Sequence, residues 1–239
     1  MFERYRPRRV FIGSTLLTLI AGQVNAIGVI GVFHEAISHV TGTVTRGAIA
    51  VAEGAFPAAA LALSIVAAFA VGAVGAGALI GSRELRAGAH YRTGLIIEAA
   101  LFALAWWLFR NGSILGEHVA AAGAGLQNGL VTTWSGAILR TSHVTGLVTD
   151  LALALGLRLR GVVLDRRAAL HAVMILGFIG GGIVGTLAWR ALGFNAFALP
   201  IGCCLLLAAV TPFGTPTMST ASKTGQDSGA ATDAPRHEP

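Results

Sequence analysis

Charge is what this 239-residue sequence has least of: Asp, Glu, Lys and Arg together make up 12% of it, where a soluble domain carries roughly a quarter. With 54% of its residues hydrophobic, the chain does not have water as its main solvent. Cysteine is nearly absent as well. The two that occur, Cys203 and Cys204, are neighbours inside an apolar run, an arrangement that gives neither a disulfide framework nor metal-ligand spacing. Also missing are a phosphate-binding glycine loop, a zinc or haem motif and a serine nucleophile elbow, and the connecting segments are too short to hold a soluble catalytic domain. An enzyme is therefore not expected, nor is a metal, a cofactor or a nucleic-acid partner. The net charge of +6 comes from arginines crowded into the ends and loops, which reports membrane topology and not a polyanion-binding surface.

What is present is a series of apolar runs, each about 20 residues long and so able to cross a hydrocarbon core roughly 30 Å thick. They cover 10–33, 57–81, 91–110, 117–134, 168–190 and 193–212. The first follows MFERYRPRR without a small-residue cleavage site, so it reads as a retained helix and not a signal peptide. Two shorter stretches, 38–53 and 141–156, fall below the spanning length and each contains an ionised residue, Arg46 or Asp150. Residues 213–239 have almost nothing to bury and read as a disordered cytoplasmic tail.

The chain repeats itself. AGQVNA (21–26) followed by SHVTGTVTR (38–46) returns as AGLQNG (124–129) followed by SHVTGLVTD (142–150), and the identical pentapeptide SHVTG recurs at an offset of 104 residues. Histidine is scarce here, so composition does not account for the match, whereas duplication does. Repeat one covers about 10–110 and repeat two about 117–212 of a single transmembrane domain, residues 1–212. Counting arginines then sets the handedness. If the short stretches dip into the membrane without crossing it, both termini and the loops 82–92 and 157–167 share the cytoplasmic side, with Arg110 and Arg190 outside. Full crossing by both would push the arginines of 82–92 outside. The expected fold is an all-α polytopic bundle of two inverted repeats, each with three crossings and one re-entrant half-helix.

The candidate site follows from the duplicated polar residues. Ser38 or Thr41, and Ser142 or Thr145, have the chemistry of helix N-caps, which would start a half-helix whose N–H groups and positive dipole end face a solute. His39 and His143 would stand beside these starts as titratable groups, and Asn25 and Asn128 recur at matched positions in otherwise apolar helices. The competing reading is that these groups only satisfy one another and the broken backbone. Arg46 and Asp150 lie seven residues beyond His39 and His143, two helical turns on, and their equivalent positions suggest an ion pair or gate near the pseudo-symmetry axis. Glu98, alone inside an apolar segment, is a proton-relay candidate.

The strings AGQVNAIG, SHVTGTVTR, AGLQNGLV and RTSHVTGLVTD resemble the YoaK-like family of bacterial multi-pass membrane proteins, a family of unknown function, over roughly residues 10 to 212. The resemblance implies an acid where this chain has Asn25, and Asn where it has Thr43. It supports the fold and a bacterial plasma-membrane location. The functional expectation is a small-solute transporter or channel for a small polar or anionic solute. The alternative is a non-transporting assembly or sensor protein, with an embedded enzyme as a weaker third class. Its partners would be the lipid bilayer and that solute, and the composition leaves room for a homo-oligomer.

Overall fold

In lipid, an apolar chain can satisfy its backbone polar groups only by forming helices or a closed barrel. A computed structural model describes residues 7–32, 37–80, 88–134 and 141–211, and among these it is all helix and turn, with no strand. Helix α1, Pro7–Ile27, runs on into a π-helical turn at Gly28–Val32. Then come α2 (Val40–Ala52), α3 (Phe56–Ile80), α4 (Gly88–Arg110), α5 (Leu115–Trp134), α6 (Val144–Leu159) and α7 (Arg166–Leu192). A 3-10 turn at Gly193–Phe197 leads into α8, Ala198–Val210. The six long apolar segments read from the sequence correspond to α1, α3, α4, α5, α7 and α8, and the two short ones to α2 and α6. The expected disordered tail and most of the arginine-rich 82–92 loop lie outside the described residues.

Among the described residues, four stretches are long and apolar enough to span a bilayer: Phe11–Gly31, Phe56–Ile80, His90–Arg110 and Arg166–Val210. The last joins α7 to α8 through the 3-10 turn. α5, which carries Glu117, His118, Gln127 and Asn128, is not among them. The protein is thus an all-α membrane protein.

Two helix pairs form the frame, α1 along α7 and α3 along α5, and glycine makes both possible. A Cβ on Gly22 would strike the Phe178 carbonyl oxygen and one on Gly181 that of Leu19; on the other pair, Gly125 meets the Phe69 carbonyl and Gly72 that of Ala122. Backbones this close exchange side-chain bulk for continuous van der Waals contact, which is how helices associate when lipid supplies no hydrophobic drive. The sequence spacing does not pick out which glycines do this. Gly77 and Gly180 face open space, whereas Gly177, Gly181 and Gly185 all lie against α1.

The same contacts set direction. Residues 19 and 23 of α1, and 31 of the π-helical turn after it, meet 181, 185 and 189 of α7 in rising order, so these two helices run parallel, and α3 and α5 are parallel by the same test. α4 lies antiparallel to α5, with Gly94 against Leu130 and Phe109 against Gly116. Phe109 also packs on Phe197 at 5.4 Å, and Arg110 reaches Asn195 Oδ1 at 3.4 Å. The end of α4 therefore adjoins the α7–α8 junction, and α1, α4 and α7 point one way while α3 and α5 point the other. α2 rests on α3, and α6 on α7.

Candidate functional site

Each SHVTG box sits at the start of a short helix, but its serine is not the cap. The residue at the N-cap is His39 in α2 and His143 in α6, with nearly the same backbone, φ −83°, ψ 61° and φ −90°, ψ 60°, and no side-chain capping hydrogen bond at either. Ser38 and Ser142 are one residue too early to cap because their side chains are committed elsewhere. Thr41 and Thr145 do not cap either; they lie within the first turn, and their carbonyls accept from Thr45 and Thr149 Oγ1 at 2.9 Å each. This corrects the expectation that Ser or Thr starts these helices.

The serines are held by the asparagines. Asn25 Oδ1 accepts the Ser38 N–H at 2.9 Å, and Asn25 Nδ2 donates to Ser38 Oγ at 2.8 Å and to the Ala21 carbonyl at 2.8 Å. In the second half Asn128 Oδ1 accepts the Ser142 N–H at 3.2 Å, and its Nδ2 donates to Ser142 Oγ and the Ala124 carbonyl. Each carboxamide thus continues its own helix ladder one turn back while binding the backbone that enters the next helix. Gly22 and Gly125, three residues earlier, admit α7 and α3 at the same level, so the Gly-x-x-Asn spacing combines a close helix crossing with a clamp.

The second clamp is extended by two residues outside the matched positions of the repeat. Thr141 Oγ1 lies 3.1 Å from Asn128 Oδ1 and 3.2 Å from Gln127 Oε1, and Gln127 Nε2 donates to the Leu17 carbonyl of α1 at 3.2 Å. Thr141 and Gln127 are buried, the latter 2% exposed. Their hydroxyl and amide signals were visible next to the motif, but the first half has Ile37 in place of Thr141, so the repeat did not mark them.

The histidines take a different place. Both are exposed, and both rings fold over the glycine three residues on: a Cβ on Gly42 would strike the His39 ring, and one on Gly146 the His143 ring. The box is therefore a unit in which serine binds asparagine, histidine turns back, and glycine leaves the ring room.

Arg46 and Asp150 are also exposed. Arg46 lies close enough to Glu117, at the start of α5, for its charge to act on that carboxyl. Asp150 is on α6, which packs on α7, while Arg46 is on α2, which packs on α3. Glu98 does not join the boxes; it is fully buried, 0% exposed, in α4 near Cys204 of α8. Both cysteines are free thiols. A groove of about 530 Å³ lined by Val148, Thr149, Ala152, Leu153, Gly156 and Leu157 runs along one face of α6 and is largely apolar. Among the described residues no cluster of three or more His, Cys, Asp or Glu could hold a metal ion.

The model of the DUF1275 family, described as a protein of unknown function, matches residues 13–210, which contain both clamps and both boxes. This chain belongs to the DUF1275 family. The YoaK-like resemblance agrees with that membership. No curated protein and no solved structure matches the chain. For this DUF1275 member, the Asn–Ser clamps fall inside the matched region, and what they do chemically is fix the start of two short helices without consuming the exposed imidazoles.

Proposed function

We propose that this DUF1275 member is a transporter or channel for a small polar or anionic solute, built from two inverted repeats of three crossings and one re-entrant half-helix each. The observation that carries the reading is the matched pair of clamps. Each half spends an asparagine and a serine on pinning a broken helix, and leaves that helix start uncapped with a histidine exposed beside it. Uncapped helix starts favour anions and oxygen-rich solutes through their N–H groups and dipole, and broken helices in duplicated halves are a recurrent way of building a solute site in a bilayer.

The inverted arrangement is supported by reciprocal contacts. Gly22 on Phe178 is answered by Gly125 on Phe69, and Gly181 on Leu19 by Gly72 on Ala122, so the first helix of each half packs on the third of the other. Equivalent helices α1 and α5 point in opposite directions. Sidedness follows from charge: Arg158, Arg160, Arg166 and Arg167 gather at the α6–α7 turn, while Arg110 and Arg190 mark the opposite end. The positive-inside bias then puts both termini in the cytoplasm of a bacterium. Arg46 on α2 and Asp150 on α6, both exposed, are the ion-pair or gating candidates of this reading.

The test is uptake of a solute panel by proteoliposomes of the full-length protein, at several pH values. Wild type should move at least one anionic solute faster in acid, and His39→Gln with His143→Gln should lose that response while melting like the parent. If the double variant keeps both flux and pH response, the histidines are not the site. A non-transporting assembly role is favoured by one observation, that Asn25, Ser38, Asn128 and Ser142 bind each other; it predicts no flux of any solute.

A further inference from the structure

The clamps leave Glu98 unexplained. It lies in the middle of α4 where that helix meets α8, fully buried among Leu95, Ala99 and Phe102, and neither carboxyl oxygen has a hydrogen-bond partner. The titratable groups that face it are the Cys204 thiol from α8 and the Tyr91 hydroxyl from its own helix. On α5, the stretch opposite runs from Gly123, against Phe102, to Leu130, against Gly94, and has no titratable side chain. The helix α3 and the 3-10 turn carry none either. Beyond Cys204, its neighbour Cys203 faces Gln23 of α1, whose Oε1 is again buried without a partner. Tyr91, Glu98, Cys204, Cys203 and Gln23 thus form a polar series from α4 through α8 to α1 inside an otherwise apolar core.

An acid kept for structure would be bound by a cation or by several donors. Glu98 has neither, and burial of an unpartnered carboxyl is among the costliest ways to fill a core position. We propose that Glu98 is a proton-binding site, and that the proton it takes up and releases is the coupling ion for solute movement; the coupling half rests on the transport reading above. The step is carboxylate plus proton to neutral acid, with no other reactant. As an anion the group would have no cation beside it and only the Cys204 thiol as a donor, so its ionisation depends on water or another acceptor reaching it. That ties release to opening of the α4–α8 seam, with Cys204 and Tyr91 as the groups a departing proton meets.

The experiment is infrared absorption of the full-length protein in lipid nanodiscs, in H2O and D2O, over a range of pH. Wild type should show the carbonyl band of a buried carboxylic acid that shifts in D2O and fades as the pH is raised. Glu98→Gln should lack that band, and Cys204→Ala should move it without abolishing it. Should Glu98→Gln fail to fold, the Cys204→Ala shift and the wild-type titration carry the assignment. A Glu98→Gln spectrum that loses no band, or a band unchanged across all pH values at which the protein stays folded, overturns the proton site. Coupling is then read in proteoliposomes with an imposed pH gradient: gradient-driven accumulation of a solute, lost in Glu98→Gln while downhill exchange persists, supports it. A titrating band with solute flux indifferent to the gradient overturns coupling alone. A titrating band with no flux of any solute overturns the transport reading and leaves the proton site standing.

Discussion

Asn25 holds Ser38 by both ends of its carboxamide, accepting the serine N–H at 2.9 Å and donating to its hydroxyl at 2.8 Å. Asn25 is 6% exposed, and the two residues are separated by the chain that leaves α1 and returns to begin α2. A bond pair of this kind fixes where the returning chain stops, and therefore where the short helix starts.

Asn25→Ala should destabilise the protein by about 1–3 kcal/mol, because it strands the N–H and hydroxyl of Ser38 in a part-buried setting. Asn25→Asp should cost less, since its carboxyl oxygens can still accept both the N–H and the hydroxyl of Ser38; the family resemblance implies an acid here. Thermal unfolding in detergent checks the order. Equal losses for the two variants would mean that the bond to Ala21, and not the grip on Ser38, is what matters.

The histidine rings and box glycines should be coupled. Gly42→Ala and Gly146→Ala each place a methyl group where the exposed ring of His39 or His143 lies, so each should displace the ring and forgo most of the roughly 1 kcal/mol that Gly→Ala otherwise gains in a helix. In His39→Ala with Gly42→Ala, or His143→Ala with Gly146→Ala, most of that gain should return. A double-mutant cycle on melting temperature measures it, and additive effects would count against the stacking.

Gly22→Ala, Gly72→Ala, Gly125→Ala and Gly181→Ala each drive a methyl group into a backbone carbonyl of the facing helix, and each should cost about 2 kcal/mol or more. Gly77→Ala and Gly180→Ala, in open space, should be neutral within about 0.5 kcal/mol or slightly stabilising through helix propensity. Unfolding in a mixed-detergent titration separates the two groups.

The two ends of the bundle should differ in reagent access. A lone cysteine at Arg160, in the turn after α6, should resist an impermeant thiol reagent in intact cells, and one at Asn111, exposed after α4, should react. The background for this assay replaces Cys203 and Cys204. The reverse pattern would invert the sidedness taken from the arginines.

Which parts were legible beforehand follows from what each depends on. Helix number and extent depend on the length of apolar runs, a local property, so α1, α3, α4, α5, α7 and α8 could be read directly, as could the duplication that pairs Asn25 with Asn128 and Ser38 with Ser142. The exposure of His39, the partner of Ser38 and the reason for Gly42 depend on where a returning chain lands, and no periodicity encodes that. Ser38 and Ser142 have the chemistry of caps, and the expectation failed because the asparagines took their hydroxyls first; the N-cap fell to His39 and His143. Glycine spacing was equally mute about which faces touch, because Gly77 and Gly181 have the same local chemistry and only the second has α1 against it. The sequence by itself determined a helical membrane protein with a repeated polar box, since solvent transfer and duplication are written residue by residue. Only the tertiary structure decided which polar groups satisfy one another and which, like Glu98, are left buried without a partner, because that depends on helices brought side by side from distant parts of the chain.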